Sequence, residues 1–128
     1  MRILLDTHVL IWAVAVSRRL DPGTAADLQD PANDILFSAA SIWEIAIKYR
    51  LGRADFAHEP NAIVNAARQT GFGELPIDAA TAAAVARLPP VHRDPFDRLL
   101  IAQALAEPAL LYTADARLRS YSDLVHIV

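Results

Sequence analysis

Four carboxylates, Asp6, Glu44, Asp97 and Asp115, stand where folding could gather them. Asp6 directly follows the apolar run Ile3-Leu4-Leu5, and Asp115 follows Leu110-Leu111-Tyr112 through Thr113 and Ala114. Glu44 comes soon after a third run, Ile35-Leu36-Phe37, and Asp97 opens a helical segment that leads back into the run at 109–112. Acids sharing one cleft repel and raise each other's pKa unless a cation joins them. The chain has no Cys and no paired His, so an oxygen-only site would suit Mg²⁺ or Mn²⁺ rather than zinc. Carboxylate-held Mg²⁺ keeps several waters, and such a water can attack a phosphodiester. The chemistry indicated is metal-assisted hydrolysis of a nucleic-acid backbone.

Each acid also has a purely structural reading. Asp6 or Thr7 would cap a helix that starts near His8. Ser41-Ile42-Trp43-Glu44 has the pattern of a capping box. In Asp94-Pro95-Phe96-Asp97-Arg98, Asp94 would cap, Pro95 would take the first helical position and Asp97 would complement the helix dipole. Asp115 would cap a short helix of its own. Singly, each acid is accounted for without function; as a set at the ends of buried strands they are not.

The elements that must position them follow from hydrophobic patterning. Buried strands are expected at 2–5, 35–37 and 109–112, a short strand at 75–77, where Pro76 favours an edge or a strand start, and a last strand at 124–127. Helices are expected at 8–15, at 25–30 after a turn at Pro22-Gly23 with Thr24 as cap, and from Ser41 to a stop at Gly52. Further helices are expected at 60–70, closed by Gly71, at the alanine-rich 79–88, ended by Pro89-Pro90, at 95–106, and at 115–119. Short strands alternating with helices indicate an α/β three-layer sandwich around a mainly parallel sheet of 4–5 strands. In such sheets ligands bind beyond the carboxyl ends of the strands, where strand order reverses.

The bulk composition agrees with a globular chain. Its 128 residues suit one domain, 1–128, and 54% of them are hydrophobic. No apolar run approaches the ~20 residues of a membrane span. The N-terminus carries no secretory pattern, so a cytoplasmic location is the expectation. The net charge of −3 argues against simple electrostatic capture of nucleic acid. Eleven arginines stand against one lysine, Lys48, and Arg suits bidentate phosphate contacts. Arg98, Arg93, Arg117 and Arg119 are candidate phosphate contacts, each with the plainer reading of a solvated charge, and for Arg98 an exposed pair with Asp94. His8 and His92 lie near the acids in sequence, with a general-base role or local packing open for both. His58 and His126 have no partner at metal-ligand spacing. Trp12 and Trp43 fall on apolar helix faces, as core or dimer-interface residues.

Taken together, Leu4-Leu5-Asp6-Thr7-His8, the segment Ser38 to Lys48 with Leu51-Gly52, His92 to Arg98 running into Leu99 to Ala104, and Thr113-Ala114-Asp115 resemble the PIN-domain family, and within it the VapC-type toxins. The pieces occur in the family's order and cover most of the chain. The resemblance implies a PIN-like sandwich and a Mg²⁺- or Mn²⁺-dependent endoribonuclease. It implies the toxin of a toxin–antitoxin pair, usually a homodimer, silenced by a cognate antitoxin whose tail covers the active cleft. Asp6, Glu44 and Asp97 match the family's acidic triad and Asp115 its more variable fourth acid. Asp6 and Asp97 would be the core metal ligands, with Glu44 and Asp115 acting through water or completing a second position. Thr7 and Thr113 match small hydroxyl positions that support the site, and Asp94 and Arg98 are further supporting candidates. Residues 53–74 match nothing specific.

Three other functions share some of these features. A receiver-type signalling domain needs an acid beside Asp6 and a Lys after a late strand; Lys48 lies within a predicted helix. An Asp-nucleophile phosphatase needs a second Asp where His8 stands. A binding domain without catalysis would have no need of all four acids.

Overall fold

A computed structural model describes residues 1–90 and 92–128. Five strands, β1 (Arg2–Leu5), β2 (Asp34–Ser38), β3 (Gly73–Leu75), β4 (Leu110–Thr113) and β5 (Val125–Ile127), form one sheet in the order β3-β2-β1-β4-β5. Every pairing is parallel, with Leu4 opposite Leu36 on one side and Leu111 on the other. From β1 the chain builds outward through β2 and β3, then returns to build β4 and β5 on the opposite flank. The reversal falls between β1 and β4, and their carboxyl ends carry Asp6 and Asp115.

The α-helices among the described residues are α1 (Thr7–Ala15), α2 (Pro22–Gln29), α3 (Ala39–Arg50), α4 (Pro60–Thr70), α5 (Ala79–Ala84) and α6 (Pro95–Ala106). Strand side chains alternate between the two faces, as the pleat requires. Ile3, Leu5, Phe37 and Tyr112 join α1 and α4 through Val9, Leu10, Ile63 and Ala67 in one buried cluster. Leu4, Leu36 and Leu111 join α6 through Leu100, Ile101 and Ala104 in the other. Past the exposed Arg2 at its start, the central strand therefore has to be apolar on both faces, and Ile3, Leu4 and Leu5 are all fully buried. No helix among the described residues is long and apolar enough to cross a membrane.

The three-layer parallel architecture is as expected, and several boundaries differ for local reasons. Pro22 and Gly23 are not a turn but the first residues of α2, because Asp21 accepts the Thr24 N–H and Pro22 takes the first helical position. α3 starts not at Ser41 but at Ala39, capped by Ser38 Oγ accepting the Ala40 N–H. The third strand ends at Leu75, paired with Ser38, so Pro76 and Ile77 lie beyond the ladder. The 79–88 helix ends at Ala84 and tightens into a 3₁₀ turn, Val85–Arg87, with Leu88 forced extended before Pro89. The segment after Asp115 is likewise a 3₁₀ turn, Ala116–Tyr121.

Candidate active site

Asp6, Glu44, Asp97 and Asp115 all line one cleft of ≈ 730 Å³ at the carboxyl ends of β1 and β4. Asp6 is delivered by the end of the central strand. One of its oxygens accepts the Val9 N–H at 2.9 Å, capping α1, and the buried Thr113 side chain beside the carboxylate favours its charged form. The capping role and the cleft role thus coexist in one side chain. Burial is the main cause that lifts the Asp6 pKa above the ordinary value.

Glu44 reaches the cleft from the second turn of α3. Its expected capping box with Ser41 does not form, because the helix begins earlier and Ser41 is buried inside it. Instead Glu44 Oε1 accepts the Thr7 hydroxyl at 2.6 Å, with Ser41 Oγ 3.1 Å from the same Thr7 oxygen. Glu44 Oε2 accepts from Lys48 Nζ one helical turn on. Lys48 also lies over the Phe56 ring, 4.8 Å from its centroid.

Asp97 comes from the first turn of α6. Asp94 sets that turn by accepting the Phe96 N–H at 2.9 Å and the Asp97 N–H at 3.4 Å, with Pro95 in the first helical position. Burial pushes the Asp97 carboxyl up to about 7, helped by Asp94, Asp6, Glu44 and Asp115. Asp115 is held differently. Arg117 donates Nε to Oδ1 at 3.0 Å and Nη2 to Oδ2 at 2.8 Å, and this holds the Asp115 carboxyl down to about 2. His92 Nε2 lies 3.2 Å from Asp115 Oδ2 and 3.6 Å from Asp97 Oδ2.

This donor set fits a hard divalent cation. The carboxylates offer only oxygen, no thiol exists in the chain, and Asp97, raised first by burial and then by the neighbouring acids, stands where a cation would relieve both costs. His92, Asp97 and Asp115 offer ligand-type atoms within 4.8 Å of one another.

A family model described as PIN domain matches residues 3–124. The chain belongs to the PIN-domain family. Ribonuclease VapC16 of Mycobacterium tuberculosis is 48% identical over 59 residues, a stretch covering 44% of this chain and 41% of that protein. The matched stretch therefore spans about two fifths of the relative's length. The crystal structure of VapBC2 from Rickettsia felis bound to a DNA fragment from their promoter superposes with a TM-score of 0.70. At 14% identity over 100% of this chain and 98% of that one, the likeness is one of fold.

Within this PIN domain the structure also revises the supporting residues. Thr7 and Thr113 contact Glu44 and Asp6 respectively, and Asp94 is the cap of α6. Arg98 neither pairs with Asp94 nor faces the cleft. Its guanidinium donates to the carbonyls of Val85, Leu88, Pro89 and His92 and to the Tyr121 hydroxyl, at 2.9–3.4 Å. Arg117 lines the cleft but is bound to Asp115, and Arg93 and Arg119 are exposed away from the cleft lining. Trp12 packs on the core and against Arg19, whereas Trp43 is 60% exposed and is no core residue. His8 bonds Asp55 at 3.2 Å, and His126 stacks on Tyr112 away from the cleft. Lys48 was not legible as a site residue from its type, yet Glu44 and Lys48 at i, i+4 carried the signal for their pairing. His92 meets Asp115 only through tertiary folding, across 23 residues of sequence.

Proposed function

We propose that this PIN-domain chain is a divalent-metal-dependent endoribonuclease, the toxin of a toxin–antitoxin pair that a cognate antitoxin inhibits. The observation that carries the reading is the gathering of Asp6, Glu44, Asp97 and Asp115 in one cleft with Asp97 raised to about 7. Family membership supports it, as do the name of the partly matched relative, a ribonuclease, and that of the fold neighbour, a VapBC pair.

Asp6 and Asp97 are the direct ligands in this reading, for Mg²⁺ with Mn²⁺ as a substitute. Both oxygens of Glu44 are engaged, by Thr7 and by Lys48, and both oxygens of Asp115 by Arg117. These two acids therefore act through water. A divalent ion held by Asp6 and Asp97 would supply an activated water and offset charge on the phosphoryl oxygens. Glu44, held by Thr7, is placed to orient water in the cleft. Lys48 keeps a positive charge at the cleft beside the incoming RNA backbone. Asp6, with one oxygen capping α1, is held in its role by the start of that helix.

The protein acts in the cytoplasm, as one domain over 1–128, and as a homodimer. Trp43 and Ile47, one turn apart on α3 and exposed at 60% and 38%, are the apolar surface offered to the second copy.

The test is cleavage of a pool of cellular RNA by the purified chain. Mg²⁺ or Mn²⁺ should support cleavage and chelator should stop it. Asp6→Asn and Asp97→Asn should each abolish cleavage while the circular dichroism spectrum stays native. Full activity in either variant would overturn the assignment.

A further inference from the structure

We infer that His92 is a positioning residue, a fixed hydrogen-bond donor that orients Asp115 beside the cation, and not a ligand of the cation. The inference rests on the metal-dependent reading above. Distances alone allow either role, because His92 offers a nitrogen within 4.8 Å of the Asp97 and Asp115 oxygens. The other ring nitrogen decides between them. Nδ1 accepts the Asp94 backbone N–H at 3.0 Å, and a ring nitrogen that accepts carries no proton. The ring N–H therefore sits on Nε2, and it is this group that points at Asp115 Oδ2, 3.2 Å away.

Ligation through Nε2 would require the proton to move to Nδ1. That would set two N–H groups, those of Nδ1 and Asp94, against each other in a largely buried place. The ring has little freedom to turn out of this arrangement. The His92 backbone N–H donates to the Tyr121 hydroxyl at 2.7 Å, Arg98 donates to the His92 carbonyl at 3.4 Å, and the side chain is 9% exposed.

The consequence falls on Asp115. Its Oδ1 accepts the Arg117 backbone N–H and Nε, and its Oδ2 accepts Arg117 Nη2 and His92 Nε2. A carboxylate so surrounded is oriented from two sides, and His92 is the buried member of the pair while Arg117 is 74% exposed. His92 thus links the cap of α6, through the Asp94 N–H, to the acid that ends the β4 segment. Groups that orient metal-site carboxylates in this way typically matter 10–100-fold for metal affinity, roughly.

The test uses the whole purified chain. Imidazole nitrogen NMR should find His92 in the Nε2-protonated form in metal-free protein and again after Mg²⁺ is added. Pulsed electron paramagnetic resonance of the Mn²⁺-loaded chain should detect no nitrogen bonded to the ion. An Nδ1-protonated ring, or a bonded nitrogen, overturns the inference. Among variants, His92→Ala should weaken Mn²⁺ binding by roughly 10–100-fold. His92→Gln, whose amide can still donate to Asp115, should recover most of that loss. Equal weakening in both variants, with native circular dichroism, also overturns it. If His92→Ala does not fold, the two spectroscopic measurements on the unaltered chain decide the question. If the unaltered chain binds no Mn²⁺, the metal-dependent reading falls, and the tautomer still decides whether the ring is a donor.

Discussion

Asp97 concentrates the electrostatic cost of the cleft in one side chain. It is still protonated in the folded, metal-free chain at pH values where an unfolded Asp, at 3.8, has ionised. The sign follows from proton counting: between 3.8 and about 7 the native state binds more protons than the unfolded state, so stability falls as pH rises through that window. Each unit of elevation is worth ~1.4 kcal/mol. Asp6 is raised for the same cause and adds a contribution of the same sign. Asp115 has the opposite sense, stabilising above 3.8 and losing that contribution as pH falls toward about 2. We expect urea midpoints of the chelator-treated chain to decline as pH rises from about 4 to about 7, and Asp97→Asn to flatten the decline. An unchanged slope in the variant would refute the elevated Asp97.

At the scale of elements, the 3₁₀ turn after α5, Leu88, Pro89 and His92 are tied to α6 by one side chain. Arg98 donates to four backbone carbonyls and to Tyr121, so the Leu88 and Pro89 carbonyls beyond the turn find a charged partner and the Val85 carbonyl, which already accepts the Leu88 N–H, gains a second donor. This arginine sits next to Asp97 and bonds the His92 backbone, so it fixes the ground on which the site stands without touching the cleft. Arg98→Ala is expected to lower unfolding free energy by about 2–3 kcal/mol. Hydrogen exchange should rise first over 85–92. A variant with wild-type denaturation and exchange would show that the clamp carries no stability.

For the molecule as a whole, the all-parallel sheet sets where chemistry can occur. Both faces are covered by helices, and the carboxyl ends of β1 and β4 flank the reversal in strand order. The cleft lies there because the two chain directions diverge and leave the strand ends uncovered. The surface of α3 facing away from the sheet carries Trp43, whose ring meets that of Phe96 in a T-shaped contact with centroids 5.3 Å apart. If that surface joins two copies, Trp43→Asp should shift sedimentation from dimer to monomer without changing the circular dichroism. A wild-type chain that sediments as a monomer at micromolar concentration would overturn the homodimer.

How much of this was legible beforehand divides along a physical line. Continuous apolar runs and helical patterns, proline and glycine positions, and acids after those runs are local, and they suffice to specify a mainly parallel α/β sandwich with acids at strand ends. Boundaries slipped where two local signals competed: Ser38 and Ser41 are both plausible caps, and Asp21 with Pro22 outweighed the turn propensity of Pro22-Gly23. The partners of each acid depended on distance in space rather than in sequence. Packing in three dimensions is what brings Thr7 and Lys48 onto Glu44 and His92 onto Asp115, and turns Arg98 away from Asp94 to bind carbonyls. Side-chain type and spacing specify what a residue can bond. Burial and chain packing settle which of the possible partners is within reach.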